Sequence, residues 1–287
     1  MKRNLLREIE DKMSTFSKGQ KFIAKYVLDN YDKAAYMTAS KLGVEVHVSE
    51  STVVRFANEL GFEGYPEFQH ALQEIVRTKL TSFQRMEVTN NLIGDKDVLT
   101  KVLVSDSDKI KRTLEEIDRD AFDMAVDKIV SARKIYVLGA RSAATLAGFL
   151  THSFLMIFDD VLQVQTSSGS EMFEQLMSIG SEDTVIAVSF PRYSKKVINA
   201  VDFAKHRGAN VISVTDSAAS PIAPQADQLL LAKSDMASFV DSLVAPLSII
   251  NAIIVAVSRK KQDELSVRLH QLEKIWDEYD VYDKNQG

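Results

Sequence analysis

The chain has 287 residues, enough for two domains, with a hydrophobic content of 45% that is ordinary for a globular protein with a sizeable core and a formal net charge of −5. Cysteine is absent, which excludes a disulfide framework and any metal site with thiolate ligands. The overall negative charge excludes a polycation, so any contact with DNA must come from a local basic patch.

The first 77 residues carry apolar side chains at helical spacing, broken into short segments. No apolar run follows Met1, so we expect no signal peptide and a cytoplasmic protein. Residues 1–80 contain 12 Lys or Arg and 11 Asp or Glu, whereas the remainder contains 23 and 29. We therefore predict an all-α N-terminal domain over residues 1–77, slightly more basic than the rest of the chain.

Two predicted helices in this region meet at a tight turn, the pattern of a helix-turn-helix. Thr38 and Ser49 are good N-caps, and Gly61 is a residue that commonly follows the end of a helix. The N-terminal half of a recognition helix is the part that meets base edges. The candidate DNA-binding residues are Lys41, Ser49, Ser51, Thr52, Arg55 and Asn58. From spacing alone, a small helical bundle with an ordinary polar face remains open.

Residues 78–97 are polar and indicate a linker, and a helical pattern resumes from Val98 to Ile129. We place the linker at residues 78–108 and a second domain at residues 109–287. The mostly apolar stretch Ala237–Val257 contains Asp241, Pro246 and Asn251, which are costly in hydrocarbon. It is therefore predicted as a buried helix that holds a satisfied polar pair, Asp241 with Ser242, and not as a membrane span. A final helical pattern in residues 262–280 completes the domain.

Within the second domain, five short runs rich in Val, Ile and Leu alternate with helical segments. The predicted strands are residues 134–138, 161–165, 184–189, 210–214 and 228–231. This alternation predicts an α/β fold with a doubly wound, parallel, five-stranded sheet of flavodoxin-like order.

Serine-bearing turns follow the first and third predicted strands, each before a helix. A hydroxyl beside the free N–H groups and the positive dipole end of a helix N-terminus suits a phosphate. In an open α/β sheet, ligands bind at the carboxyl ends of the strands. The candidate ligand-binding residues are Gly139, Arg141, Ser142, Ser189, Arg192 and Ser194. Helix capping would explain either turn alone, and for the run of residues 166–170 a loop with a cap at Ser170 is the favoured interpretation.

Both regions resemble one family. The run Ser49–Phe56, followed by Leu60–Phe68 with the pattern Leu-Gly-Phe-x-Gly-Tyr-x-x-Phe, resembles the N-terminal domain of the RpiR (MurR/RpiR) family of bacterial regulators. The C-terminal half resembles the sugar isomerase (SIS) domain that serves as the effector domain of that family. The resemblance implies that the hydroxyls of Ser142, Ser189 and Ser194 hold the phosphate of a phosphosugar.

The sequence departs from the family pattern at four positions. Pro191 and Arg192 replace a Ser and a Gly of the second turn, which removes a hydroxyl and an N–H donor but adds a guanidinium suited to an anion. His47 stands where the family usually has Gly, and Gly43 where a better helix former is common. His47 and Gly43 are expected to alter the geometry of the turn between the two helices, since a non-Gly residue at positive φ is strained.

Three other classes of function compete with a ligand-controlled regulator. A dinucleotide-binding enzyme is disfavoured because the first turn lacks the further glycines and no acidic residue ends the second strand. A phosphosugar isomerase is the serious enzyme alternative and would need a base, for which Glu171, Glu174 and His152 are available. On its apolar helix, His152 is expected to be a packed core residue. A protein-binding module, built from the Val98–Ile129 helices and the tail, is the third.

We therefore expect a DNA-binding transcriptional regulator and not an enzyme. A phosphosugar or related anionic effector would bind the SIS domain and modulate binding to double-stranded operator DNA, which a two-fold protein would require to be palindromic. A homodimer or tetramer is expected, with no metal, cofactor or membrane partner.

Overall fold

The computed structural model describes residues 5–79, 81, 83–86, 89, 97–165, 168–236 and 240–282. The chain divides into two compact units. The N-terminal unit comprises residues 1–99 together with 236–241, and the C-terminal unit comprises residues 100–235 together with 242–287. Within the predicted linker, residues 80, 82, 87–88 and 90–96 lie outside the described residues.

The N-terminal unit is helical, as the spacing of its apolar residues predicts. Its described helices are α1 (Leu5–Asp11), α2 (Lys18–Asp29), α3 (Tyr31–Ala34), α4 (Ala39–Glu45), α5 (Glu50–Glu59) and α6 (Tyr65–Lys79). Their core contains a chain of aromatic contacts: Phe56 lies 5.1 Å from Phe16 and 5.6 Å from Phe68 between ring centroids. Such contacts fix the orientation of α5, to which Phe56 belongs.

Side-chain caps set where these helices begin. The Ser17 hydroxyl accepts a hydrogen bond from the backbone N–H of Gln20, and Thr38 and Ser49 do the same for Lys41 and Thr52. Each cap satisfies one N–H that would otherwise lack a partner at the helix start. The two N-caps predicted at Thr38 and Ser49 are confirmed.

The C-terminal unit contains the predicted five-stranded parallel sheet. Its strands are β1 (Ile135–Gly139), β2 (Val161–Val164), β3 (Thr184–Val188), β4 (Asn210–Thr215) and β5 (Gln228–Leu231), in the order β2-β1-β3-β4-β5. The described helices around it are α7 (Val98–Glu116), α8 (Arg119–Val130), α9 (Ala143–Leu155), α10 (Gly169–Leu176), α11 (Lys195–His206), α12 (Val244–Lys260) and α13 (Gln262–Glu278). The fold class is confirmed, and every strand end lies within one residue of its predicted position.

Alternate residues of each central strand face two apolar layers, as the period of two in a strand requires. Ile135 and Val137 of β1 pack with α8, α9 and α12, whereas Tyr136 and Leu138 pack with α10 and α11. All five residues of β1 are buried, as are all five of β3. Helices on both faces of the sheet leave its strand ends as the place where polar groups can gather.

The helical pattern from Val98 to Ile129 divides into α7 and α8, because Asp118 caps a new helix by accepting from the N–H of Ala121. Two sequence expectations need correction. Asp241 and Ser242 lie before α12, which begins at Val244, so they are not inside an apolar helix. The Asp241 carboxylate contacts Arg85, and the Ser242 hydroxyl donates to Asp106. His152 is exposed, whereas a packed core histidine was expected.

Among the helices that the structure describes, none is both long and apolar enough to cross a membrane.

Candidate functional site

The polar face of α5 lies opposite the face that it buries. Val53, Phe56 and Ala57 have no exposed surface. Ser51, Arg55 and Asn58 are exposed, and their spacing of four and three residues places them on one side of the helix. Among the other predicted DNA-binding residues, Lys41 and Ser49 are exposed and Thr52 is half-buried.

The Ser49 hydroxyl has two roles at the start of α5. It caps the helix and also lies 2.9 Å from the Ser51 hydroxyl and 2.8 Å from that of Thr52. The guanidinium Nε of Arg55 donates to the carbonyl of Ser51 at 3.3 Å. Hydroxyls and a guanidinium that are already ordered present donors to a DNA backbone or base edge with little further loss of side-chain freedom.

The turn between α4 and α5 depends on the two residues that depart from the family pattern. His47 has a φ of 57°, so it adopts the left-handed conformation that glycine adopts at no steric cost. The Val48 N–H then donates to the Gly43 carbonyl at 2.8 Å. A Cβ at Gly43 would lie 2.8 Å from the Val48 carbonyl oxygen, so this close approach of turn to helix requires glycine.

The run Leu60–Phe68, the second half of the pattern shared with the RpiR family, fixes the C-terminal end of α5. Gly61 has a φ of 82°, with its N–H bonded to Asn58 and the Phe62 N–H bonded to Ala57, which is a Schellman ending. Tyr65 is 5% exposed and its hydroxyl donates to the Met37 carbonyl at 2.7 Å. Burial raises the pKa of Tyr65 to about 12. The run Leu60–Phe68 is therefore explained by packing around α5.

The two serine-bearing turns lie side by side at the switch point of the sheet. Gly139, the last residue of β1, pairs in register with Val188, the last residue of β3. Helix α9 leaves β1 towards β2 on one face, and α11 leaves β3 towards β4 on the other. In an open α/β sheet this divergence creates a crevice at the carboxyl ends of the two strands, and ligands bind there.

The serine hydroxyls at this crevice do not cap their own helices. Ser142 is the N-cap residue of α9 and Ser194 that of α11, yet neither makes a side-chain capping bond. In the described part of the chain, Ser17, Thr38, Ser49 and Asp118 do cap. Ser142 is exposed and Ser194 half-buried. Capping, the competing explanation for these two residues, therefore does not apply.

Gly139 and Ser189 are buried beneath the crevice. A Cβ at Gly139 would lie 2.5 Å from the Ala143 carbonyl oxygen, so glycine there permits the close packing of α9. Ser189 is 4% exposed, and its carbonyl accepts from the Thr215 hydroxyl at 2.7 Å. Their contribution to a ligand site would be the shape and backbone of its floor.

The turn after β3 is held in a strained conformation. Arg192 is exposed with a φ of 63°, and Arg141 in the turn after β1 is likewise exposed with a φ of 58°. The Tyr193 hydroxyl donates to the Asp216 carboxylate at 2.8 Å, which fastens the turn to the end of β4. Sequence analysis missed this anchor, because the two residues are 23 positions apart.

Basic residues gather at the crevice beyond the two predicted arginines. Lys195 and Lys196 are exposed in the first turn of α11, and neither α9 nor α11 has an acidic residue in its first turn. Cations at a helix N-terminus oppose the helix dipole, by about 0.3–1 kcal/mol each, unless an anion is bound. Lysine directly after a helix-starting serine was the sequence signal that could have identified them.

The residues of the isomerase alternative do not converge. Glu171 and Glu174 are exposed on α10, which follows β2. His152 lies in the last turn of α9, about 15 Å along the helix from Ser142. The cap position of α10 is Ser168, so the expectation of a cap at Ser170 is wrong. Residues 166 and 167 lie outside the described residues.

Family models match both units. A model of the helix-turn-helix domain of the rpiR family matches residues 3–79, and a model of the SIS domain matches residues 128–256. The two matches together include the candidate DNA-binding residues and the candidate crevice.

Transcriptional regulators are similar to this chain, two of them over nearly its whole length. The HTH-type transcriptional regulator HexR of Pseudomonas aeruginosa is 22% identical over 277 residues, which is 95% of each chain. The structure of Vibrio vulnificus NanR complexed with ManNAc-6P covers 96% of this chain and 99% of its own, with a TM-score of 0.60 and 22% identity. The sugar isomerase domain of an RpiR transcription factor from Sphaerobacter thermophilus covers 61% of this chain and 97% of its own, with a TM-score of 0.56 and 25% identity.

Proposed function

Since the chain belongs to the RpiR family of DNA-binding transcriptional regulators, with an SIS domain after its helix-turn-helix, we propose that a phosphosugar bound at the crevice between β1 and β3 controls its affinity for DNA. The observation that carries the proposal is the pair of helix N-termini at that crevice. Their serine hydroxyls are not used as caps, and the exposed residues Arg141, Arg192, Lys195 and Lys196 are close to them in sequence. Two such N-termini present N–H donors and positive dipole ends to one anion.

The phosphate would be held by Ser142, Ser194 and the guanidinium groups of Arg141 and Arg192, over a floor formed by Gly139 and Ser189. Pro191 has no N–H to offer, so the second turn binds with one backbone donor fewer than a turn without proline. The exposed guanidinium of Arg192 offsets that loss, because it can donate two parallel hydrogen bonds to phosphate. The expected ligand is therefore still anionic.

The similarity to NanR of Vibrio vulnificus, described as complexed with ManNAc-6P, makes N-acetylmannosamine 6-phosphate the first compound to test. The shared fold alone does not fix the sugar, because its hydroxyls would meet residues outside the phosphate crevice. A panel of hexose and amino-sugar phosphates, with the unphosphorylated sugars as controls, separates recognition of the phosphate from recognition of the ring.

For DNA, we propose that the exposed face of α5 enters the major groove. Ser51, Arg55 and Asn58 would face the base edges, and Lys41, Ser49 and Thr52 the phosphates. Arg55 is the residue best suited to read a base, since its guanidinium can bond guanine O6 and N7 together.

We propose a homodimer that reads a palindromic operator, with residues 1–77 as the DNA-binding domain, 78–108 as the linker and 109–287 as the sensing domain. The exposed apolar residues of α7 support self-association: Leu99, Leu103, Ile110 and Leu114 are between 39% and 72% exposed. Ile110 and Leu114 also line a groove of about 420 Å³ formed by α7, α8 and α12. Burying such a surface is favourable in proportion to its apolar area.

An aldose–ketose isomerase is the alternative, and Glu171 is the residue that keeps it open. It lies in the first turn of α10, at the same edge of the sheet as the crevice. Turnover of an aldose phosphate that a Glu171→Gln change abolishes would establish the enzyme.

A thermal-shift titration with N-acetylmannosamine 6-phosphate and the panel tests the proposal, because a ligand specific to the folded state raises its melting temperature. We expect the Ser142→Ala/Ser194→Ala double variant to lose the shift while it keeps the melting temperature of the free protein within a few degrees. Ser181→Ala is the matched control, since Ser181 is exposed before β3, at the opposite edge of the sheet. A shift that survives in the double variant would refute the assignment of the crevice.

A further inference from the structure

The connection between β5 and α12, residues 232–243, divides between the two units of the chain. Residues 236–241 belong to the N-terminal unit, and the residues on either side of them belong to the C-terminal unit. The described part of the connection comprises residues 232–236 and 240–243. It begins at the end of β5, which is the same edge of the parallel sheet as the candidate crevice.

Within the C-terminal unit, both ends of the connection are bonded to α7. The Lys233 backbone N–H donates to the Thr113 hydroxyl at 3.0 Å, and its ammonium pairs with Glu116. The Ser242 hydroxyl donates to the Asp106 carboxylate at 2.7 Å. Positions 106, 113 and 116 share one face of the helix. These bonds attach the connection to α7 by groups on both sides of residues 236–241.

Two further charged groups support the same attachment. The Arg112 guanidinium lies 3.4 Å from the Asp235 carboxylate. Lys109, on the same face of α7, is 3% exposed, and its ammonium lies 2.7 Å from the Ser105 hydroxyl. A lysine this deeply buried is rare unless its charge is paired, and Asp106 lies 3.5 Å from it.

Within the N-terminal unit, Asp241 is held by a buried ion pair with Arg85. The side chains of Arg85 and Asp241 are 3% and 7% exposed, and their charged groups are in direct contact. Met236 pairs with Asp241 as an antiparallel bridge, and its sulfur lies 2.9 Å from Arg85 Nε. Met236 also packs against the apolar core of the N-terminal helices.

A buried ion pair contributes little net stability but specifies one geometry, because leaving either charge without its partner is costly. Hydrogen-bond and salt-bridge networks that have two discrete arrangements are among the structures that carry coupling between distant sites. The Arg85–Asp241 pair joins residues 156 positions apart, one after the helix-turn-helix and one after β5.

We propose that the described residues of this connection, 232–236 and 240–243, couple the ligand crevice to the DNA-binding unit, with the Arg85–Asp241 ion pair as the contact that holds one arrangement. The proposal rests on the proposed function and names how that site is regulated. A ligand at the sheet edge and DNA on α5 would each favour one arrangement of the connection. Coupling of this kind is reciprocal, so DNA binding must also alter the sheet edge.

Hydrogen exchange of the full-length protein tests the proposal without any ligand. Double-stranded DNA that the wild-type protein selects from a random pool serves as the probe. We expect DNA to change the exchange rates of residues 232–243 and 184–194 by about tenfold in the wild type. The Asp241→Asn variant should bind the same DNA but keep the change at residues 184–194 within about twofold.

Asp159→Asn is the matched control, because it breaks the exposed ion pair of Asp159 with Arg268 by the same chemical change. It should behave as the wild type. If Asp241→Asn fails to fold, Asp235→Asn and Ser242→Ala weaken the attachment to α7 instead and should give the same reduction. The proposal would be overturned if DNA still changed the exchange rates of residues 184–194 about tenfold in the folded variants. It would also be overturned if DNA left the exchange rates of residues 232–243 unchanged in the wild type.

A second arm separates this inference from the proposed function. Wild type and Asp241→Asn are titrated with N-acetylmannosamine 6-phosphate, and their DNA affinity is measured with and without it. A variant that binds the compound normally but shows no effect of it on DNA affinity supports the coupling element. A wild type that does not bind the compound or the panel contradicts the proposed function, while the exchange experiment still decides the coupling.

Discussion

Replacing Gly43 by alanine tests whether the approach of the turn to α4 sets the geometry of the recognition helix. In an unobstructed helix this change stabilises by about 1 kcal/mol, because alanine is the better helix former. Here the new Cβ would lie 2.8 Å from the Val48 carbonyl oxygen, a backbone atom that cannot rotate away. Overpacking of this kind costs about 1–3 kcal/mol. We therefore expect a net destabilisation of up to about 2 kcal/mol.

The matched control is Gly169→Ala, the same substitution at the first residue of α10. A Cβ there meets nothing within 4 Å, so the change should stabilise. Urea unfolding of both variants gives the sign directly, provided that the slope of the transition is unchanged. The helix start should also shift, so Gly43→Ala should weaken DNA binding more than its loss of stability explains. A Gly43→Ala variant that is stabilised as much as Gly169→Ala would refute this account of the turn.

Three further predictions concern the same unit. His47→Gly should raise the free energy of unfolding by up to about 1 kcal/mol, since it removes the strain of a φ of 57°; urea unfolding that shows a loss would contradict this. Tyr65→Phe should cost about 0.5–1 kcal/mol at pH 7, because the Met37 carbonyl keeps the Gln69 amide as a donor. With its pKa raised to about 12, the folded wild type retains a proton that the unfolded chain loses near pH 10, so wild-type stability should fall between pH 10 and 12. Tyr65→Phe should reduce that fall in pH-dependent unfolding, and the remainder should come from Tyr26 and Tyr136, whose pKa values burial also raises. Arg55→Ala should weaken specific DNA binding by about 1–3 kcal/mol in fluorescence anisotropy. Lys41→Ala should instead reduce the slope of log binding constant against log salt concentration by about one unit. The reverse pattern would exchange the roles of the two residues.

The strands could be predicted from the sequence because burial leaves a local signal. Each is a short run of Val, Ile and Leu between polar residues, and strands covered on both faces tolerate little else. The N-caps Thr38 and Ser49 were also local, since the capped N–H lies three residues on. Such features depend on neighbours in sequence, so no knowledge of the fold was needed to place them.

Other features were hidden because their causes are not local. Only two residues, Ile117 and Asp118, separate α7 from α8. The apolar periodicity of Val98–Ile129 therefore continues almost in phase across the break. His152 lies on a helix that is apolar nearly all round, so periodicity could not say which side faces solvent. Asp241 is satisfied by Arg85, and no pattern in either neighbourhood announces a partner so far along the chain.

Backbone strain also marks the candidate DNA-binding and ligand-binding turns. Five non-glycine residues in the described part of the chain have positive φ, and three of them, His47, Arg141 and Arg192, lie in the turns assigned to DNA and ligand. Each such residue costs of order 1 kcal/mol relative to glycine, so glycine would be the better choice for stability alone. At the crevice the two strained residues are both arginine, at corresponding turns after β1 and β3. Strain that recurs with the same charged side chain at both turns is explained if each guanidinium is needed beside the same anion.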